Sequence, residues 1–157
     1  MNPPVVTVLM TVYNGEAYLS EAIESILDQT FTNFEFLIID DASSDDSQNI
    51  IQSYNDARIR YIKNEKNIGQ TASLNHGLQL SNGKYIARMD QDDVSRNDRF
   101  IKQLHFIESG SFDIIGSWAL AIDRYGNPLH WVKHPTSDRD IKIAIVLDCP
   151  LTHSSVM

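Results

Sequence analysis

The sequence predicts an α/β fold: a doubly wound, mostly parallel sheet flanked by helices, with a small strand-rich second half. Three observations carry that expectation. Short, almost wholly apolar and β-branched runs recur through the first half of the chain, as in strands buried on both faces of a parallel sheet. Each run is followed by a segment with apolar residues at helical spacing, the alternation that marks crossover connections. Three of the runs end in Tyr13-Asn14, Asp40-Asp41 and Asp90-Gln91-Asp92-Asp93, and open α/β sheets bind ligands beyond the carboxyl ends of their strands.

Val5 to Val12 is the first strand, and Tyr13-Asn14-Gly15 turns the chain. Glu16 to Gln29 carries Leu19, Ala22, Ile23, Ile26 and Leu27 at the spacing of an amphipathic helix. Phe34 to Ile39 is the second strand, closed by Asp40 and Asp41. Ser43-Ser44-Asp45-Asp46 offers N-cap oxygens to a helix running to Tyr54. Ile59 to Ile62 reads as a third strand, Asn67-Ile68-Gly69 as a turn, and Thr71 to Leu80 as a helix whose apolar contribution is Leu74 and Leu78. Ser81-Asn82-Gly83 stops that helix before the strand that leads to Asp90. Asp98 to Glu108 is helical, with Phe100, Leu104 and Ile107 on one side. Past Gly110, strands are expected over Asp113 to Ile122 and Leu129 to Lys133, around a turn at Tyr125-Gly126-Asn127-Pro128. A helix from Asp138 to Leu147, capped by Ser137, and a strand begun by Thr152 to Met157 complete the expectation.

The chain has 157 residues, 42% of them hydrophobic and 22% charged, which suits one soluble domain with a sizeable core. A net charge of -8 and no basic run argue against a nucleic-acid or anionic-membrane surface. The single cysteine, Cys149, allows no internal disulfide. No apolar segment approaches the ~20 residues of a membrane span, and the N-terminus lacks a signal-peptide pattern. The expectation is a cytoplasmic protein.

Asp90, Asp92 and Asp93 crowd the end of a strand, where no packing pattern calls for them. A hard cation among them would relieve their repulsion, and Mg2+ or Mn2+ is commonly held by one or two carboxylates plus substrate phosphate. An acidic turn capping the next helix is the plainer alternative, and the spacing by itself leaves both open. His130 and His134 stand four apart, but on a strand that separation is ~13 Å, too far for one metal. Cys149 and His153 lack an orienting acid or amide; Trp118 and Trp131 are expected to pack in a core, with stacking on a sugar as the alternative.

There is no Gly-x-x-x-x-Gly-Lys phosphate loop and no Gly-x-Gly-x-x-Gly after the first strand, so neither a P-loop nucleotidase nor a dehydrogenase-type dinucleotide fold is expected. The motifs present are Val8-Leu9-Met10-Thr11-Val12-Tyr13-Asn14, Ser25-Ile26-Leu27-Asp28-Gln29-Thr30, Ile38-Ile39-Asp40-Asp41-Ala42-Ser43-Ser44-Asp45, Asn67-Ile68-Gly69, Asn75-His76-Gly77, Gly83-Lys84-Tyr85-Ile86-Ala87, Asp90-Gln91-Asp92-Asp93 and His153-Ser154-Ser155-Val156-Met157. In order and spacing they resemble the N-terminal part of a family-2 glycosyltransferase with the GT-A, nucleotide-sugar-binding fold.

The resemblance implies one GT-A-type domain over 1–157, truncated, with 1–93 as the nucleotide-binding half and 94–157 as the start of the acceptor side. It assigns Thr11 and Tyr13 to the wall around the base, and Glu16 to the same pocket near ribose or base. Asp41 would accept from a uracil-type base, and Asp90 would contact ribose or sugar. Asp92 would ligate Mn2+ or Mg2+, with Asp93 lining the sugar side and His153 bordering the active site as the catalytic candidates within the chain. Asn75 would belong to the nucleotide-sugar side; many relatives carry Arg just before it, where it can meet the diphosphate, but Leu74 stands there, and Arg88 would be the substitute source of positive charge. The implied reaction is an inverting transfer from a UDP-sugar to a glycan or lipid-linked acceptor in cell-surface polysaccharide biosynthesis, at the inner face of the membrane in the full-length protein. The family's general base lies in an acidic motif beyond the histidine block, past Met157. A nucleotide-binding fragment without turnover and a nucleotidyltransferase are the alternatives, although the latter's glycine- and lysine-rich loop is missing from residues 8 to 20.

Overall fold

The computed structural model describes residues 3–110 and 112–157. Four strands, β1 (Val6–Val12), β2 (Phe34–Asp40), β3 (Ile59–Lys63) and β4 (Tyr85–Met89), form a sheet in the order β3-β2-β1-β4, with every neighbouring pair parallel. β1 is central and buried along its whole length, which is why its sequence is apolar on both faces. The period of two then sorts the side chains. Val6, Val8, Met10 and Val12 face one layer with Phe36 and Ile38, packed against Leu19, Ile23 and Ile26 of α1 (Leu19–Leu27), Ile51 of α2 (Ser47–Ser53) and Phe100, Leu104 and Ile107 of α4 (Arg99–Ser109). Leu9, Leu37 and Ile39 face the other layer, beneath α3 (Gln70–Leu80).

α3 is not seated as its sequence suggests. Leu74 packs against the sheet, but Leu78 is 49% exposed, and the buried residues are Ser73 and Gly77. A Cβ on Gly77 would stand 2.3 Å from a Leu9 methyl, so Ser73 and Gly77 let the helix approach the sheet closely, with Leu74 and Leu80 packing beside them.

At the strands' N-terminal end, the Gly83 N–H donates to Thr7 Oγ1 at 2.8 Å, and that hydroxyl donates to Glu35 at 2.6 Å. Glu35 also accepts the Asn82 N–H and side-chain amide, at 2.6 and 2.9 Å. A Cβ on Gly83 would lie 2.3 Å from the Thr7 nitrogen and 2.6 Å from the Val6 carbonyl carbon, main-chain atoms of the central strand that cannot swing away. Gly83→Ala is therefore expected to cost about 2–3 kcal/mol, as overpacking does. A denaturant titration checks this; a midpoint equal to the parent's would mean that the strand entry shifts freely.

The second half holds the antiparallel hairpin β5 (Ala119–Ile122) and β6 (Pro128–Val132) and the short helix α5 (Asp138–Ala144). Ser137 caps α5 as expected, its hydroxyl accepting the Asp140 N–H at 3.1 Å. The expected boundaries are corrected here. The first strand of the hairpin begins at Ala119 rather than Asp113, and α5 stops at Ala144 rather than Leu147. Residues 152–157 do not start with a strand but with a 3-10 turn, His153–Ser155, closed by the Ser155 hydroxyl on the Thr152 carbonyl at 2.8 Å. The chain then runs along β4, where the Val156 carbonyl accepts the Arg88 N–H, and Met157 exchanges two bonds with Ile115. Trp118 and Trp131, expected in a core, are 47% and 57% exposed, since among the described residues no further layer covers the hairpin. Among the described residues, no helix is long and apolar enough to cross a membrane.

Candidate functional site

Because β1, β2 and β4 run parallel, their C-terminal ends meet at one rim. β1 delivers Thr11, nearly buried, and then Tyr13, whose ring is half exposed. The chain turns at Asn14 in a left-handed conformation (φ 49°), and the loop after β2 does the same at Ala42 (φ 61°). Asn tolerates that region; for Ala it is a strain that surrounding bonds must hold.

Those bonds join the two loops. The N–H groups of Asn14, Gly15 and Glu16 donate to Ser43 Oγ, Ser47 Oγ and Asp45 Oδ2 at 3.1, 2.9 and 3.0 Å. In return, Ser44 N–H donates to Asn14 Oδ1 and Asp46 N–H to Glu16 Oε2, both at 2.9 Å. The cluster expected to cap α2 is thus spent largely on its neighbour, and Asp46 makes no side-chain cap bond. Glu16, expected in the base pocket, serves this inter-loop lattice and does not line the cleft.

Asp41 is 2% exposed and sits at the centre of the rim. Its Oδ1 accepts Asn64 Nδ2 at 2.8 Å and the Ile68 N–H at 2.9 Å, and its Oδ2 accepts the Gly69 N–H at 2.8 Å. Burial pushes this carboxyl up, but the hydrogen bonds from Ile68, Asn64 and Gly69, with the nearby Ser73 hydroxyl, outweigh it and hold the group below its ordinary range. Three of its roughly four acceptor positions are filled by the protein. Asp41 anchors the loop before α3 first, and has little acceptor capacity left for a base.

The acid cluster follows β4. Arg88 forms an ion pair with Asp90 at 2.6 Å, so its charge is spent on the rim's own acid. Burial pushes the Asp92 carboxyl up, and the charges of Asp93 and Asp90 push the same way, with Arg88 opposing. Among the described residues, no three Asp, Glu, His or Cys side chains gather as a metal cage. The donor set is one or two carboxylates beside an open cleft, which fits Mg2+ or Mn2+ completed by phosphate oxygens and not a self-sufficient metal site.

Thr11, Tyr13, Asp41, Asp90 and Asp92 line one cleft of about 560 Å³. Asn67, Gly69, Gln70 and Gln91 line it too, and none of these was assigned from the sequence as a site residue. Asn67-Ile68-Gly69 is legible as turn chemistry and as a family motif, and Gln91 as part of the Asp90-Gln91-Asp92-Asp93 motif, but neither pattern gives these side chains a role. The cleft does not include Asn75, which lies on the exposed face of α3, nor the exposed Asp93. His153 also lies outside it; its Nε2 is 3.3 Å from Cys149 Sγ, and both residues are exposed. His134 bonds Thr152 Oγ1 at 3.0 Å through Nε2 and is not paired with His130.

The model of the family described as Glycosyl transferase family 2 matches residues 7–154. An uncharacterized glycosyltransferase of Methanocaldococcus jannaschii, MJ1057, is 42% identical over 134 residues, covering 82% of this chain and 46% of its own. TuaG of Bacillus subtilis, a glycosyltransferase named for teichuronic acid biosynthesis, is 34% identical over 91% of this chain and 59% of its own. The chain spans about half the length of the curated relatives it matches. Among solved structures, S. aureus TarS 1-349 in complex with UDP superposes with a TM-score of 0.66 at 26% identity, over 69% of this chain and 33% of TarS 1-349. The GT-A architecture expected from the sequence is the one observed, and the chain belongs to glycosyl transferase family 2.

Proposed function

We propose that the cleft holds a uridine diphosphate sugar together with Mn2+ or Mg2+, and that the full-length enzyme moves the sugar to a glycan or lipid-linked acceptor in cell-surface polysaccharide biosynthesis. The observation that carries this reading is the convergence of Thr11, Tyr13, Asp41, Asp90 and Asp92 on one cleft at the carboxyl ends of a parallel sheet. The TarS complexes with UDP and UDP-GlcNAc support the uridine donor, and the name of TuaG supports a cell-wall polymer as product. A lipid-linked acceptor would place the enzyme at the inner face of the membrane.

In this reading Tyr13 offers its half-exposed ring as a stacking face for the base, above the wall formed by Thr11. Asp41 keeps Gly69 in place, and Asn67 and Gln70 beside it face base or ribose. Asp90, tempered by Arg88, stands toward the ribose or sugar. Asp92, with Asp90 beside it, would hold the cation, which supplies charge neutralisation for the departing diphosphate. The acceptor oxygen bonds to the anomeric carbon as the bond to the diphosphate oxygen breaks on the opposite side, which inverts the configuration. A carboxylate takes the acceptor's proton; Asp93 and His153 lie outside the cleft, and neither is assigned that role.

Calorimetric titration with UDP and GDP, each with and without Mn2+, tests the donor site. The expected result is UDP binding at least tenfold tighter with Mn2+ than without, and tighter than GDP under the same conditions. Equal UDP affinity in both conditions, or a preference for GDP, overturns the reading.

A further inference from the structure

Main-chain pairing between β1 and β4 ends at Met10 and Met89. Beyond that point the two strands part, and the cleft opens between the Tyr13 side and the acid side. One side chain spans the gap. Gln91 Oε1 accepts the Tyr13 N–H at 2.8 Å, and Gln91 Nε2 donates to the Tyr13 carbonyl at 3.3 Å. The amide's orientation is fixed by chemistry, since an N–H needs an acceptor and a carbonyl needs a donor. The side chain thus continues the ladder after the backbone has left it.

Gly15 makes room for this bridge. A Cβ there would stand 2.8 Å from both Cδ and Oε1 of Gln91. The acid loop is also tied at its far end, where Gln29 Nε2 donates to the Arg96 carbonyl at 2.6 Å and Gln29 Oε1 accepts the Phe100 N–H at 3.2 Å. Asp90 and Asp92 flank Gln91 in sequence, so both project from a segment fastened directly to the Tyr13 main chain.

Resting on the donor-site reading above, we infer that Gln91 is a positioning residue that couples the base side of the cleft to its acid side. Both polar ends of its amide are spent on the Tyr13 main chain, so it is assigned no contact with the cation or the reacting atoms. It holds Tyr13 and the Asp90–Asp92 segment at a set spacing across the cleft that one donor has to bridge. Pre-set spacing of this kind is what allows one ligand to engage two subsites without ordering either first. Without the bridge, each side remains able to bind its own part of the ligand, and the gain from binding both together falls.

Gln91→Met tests this in the 157-residue chain, because methionine keeps the length and the packing on Gly15 and loses both hydrogen bonds. Three affinities are measured in parent and variant: uridine alone, UDP without metal, and UDP with Mn2+. Hydrogen exchange at the Tyr13 amide is followed by NMR alongside. The expected result is uridine affinity within twofold of the parent, an unchanged thermal midpoint, faster exchange at Tyr13, and a tenfold or greater loss of the Mn2+-dependent gain in UDP affinity. A Gln91→Met chain whose Mn2+-dependent gain equals the parent's overturns this inference alone. Equal losses for uridine and for UDP overturn it as well, because they would show a general structural role. A parent chain with no Mn2+-dependent gain overturns the donor-site reading and this inference with it.

Discussion

Asp92→Asn is expected to abolish the Mn2+-dependent part of UDP binding while leaving the fold intact. Replacing a residue that merely orients a metal ligand typically costs 10- to 100-fold in metal affinity. Loss of the ligand itself is therefore expected to cost at least about a hundredfold, near 2.7 kcal/mol. Stability should respond the other way. Burial and the neighbouring acids hold the Asp92 carboxyl above its ordinary range, so the folded chain binds this proton more tightly than the unfolded one. The ionised form is thus a small cost to the fold at neutral pH, and a neutral amide removes it. A thermal melt that is unchanged or slightly raised, beside a flat Mn2+ titration, is the expected pair of results. The same shift means that the parent's Mn2+-dependent affinity falls on acidification before ordinary carboxylates titrate. A variant that binds UDP with Mn2+ as the parent does would reduce the acid cluster to a turn.

Asp41→Ala is expected to damage both stability and binding. Its carboxylate accepts three hydrogen bonds at 2.8–2.9 Å, and bonds to a charged group are worth about 1.5–3 kcal/mol each. Water entering from the cleft recovers part of that, so a loss of about 3 kcal/mol is expected, or a fall in melting temperature of about 6–12 °C for a chain of this size. UDP affinity should fall with and without Mn2+, because Asn67, Gly69 and Gln70 lose their anchor together. The pH dependence follows from the depressed carboxyl. Its contribution is full above the unfolded carboxyl's range and is lost as pH falls through the lower folded value, so the variant should show a flatter acid limb than the parent. An unchanged melt with weakened uridine alone would instead make Asp41 a direct acceptor for the base.

The strands of the parallel sheet were legible because β1 and β2 are buried on both faces and carry little but apolar side chains. The cleft was legible in outline for the same reason, since strand ends can be read and a parallel sheet brings them to one rim. Side-chain roles were less legible. Nothing in the spacing of Asp41 shows that its oxygens are already filled, or that Glu16 pairs with a backbone amide thirty residues away. Hydropathy could not rank Leu78 against Gly77, because the point of closest approach to the sheet is occupied by small residues that leave no apolar trace. Trp118 and Trp131 looked like core because periodicity tells which residues share a face, not whether another layer covers it. Gln91 and Asn67-Ile68-Gly69 are legible as motif residues, but their roles are not, because their placement depends on Tyr13 and Asp41, distant residues that hold them.

All four strands of the main sheet point the same way, so its two ends have different fates under mutation. At one end Thr7, Glu35, Asn82 and Gly83 satisfy one another, and a change in any of them propagates into the central strand. At the other, the sheet stops and loops take over, each held by a few local anchors. Inherited changes in the face that a loop such as Asn67–Gln70 presents can therefore accumulate without passing through the core. A scaffold divided in this way is free to diversify its choice of ligand while its foldability is kept under separate selection.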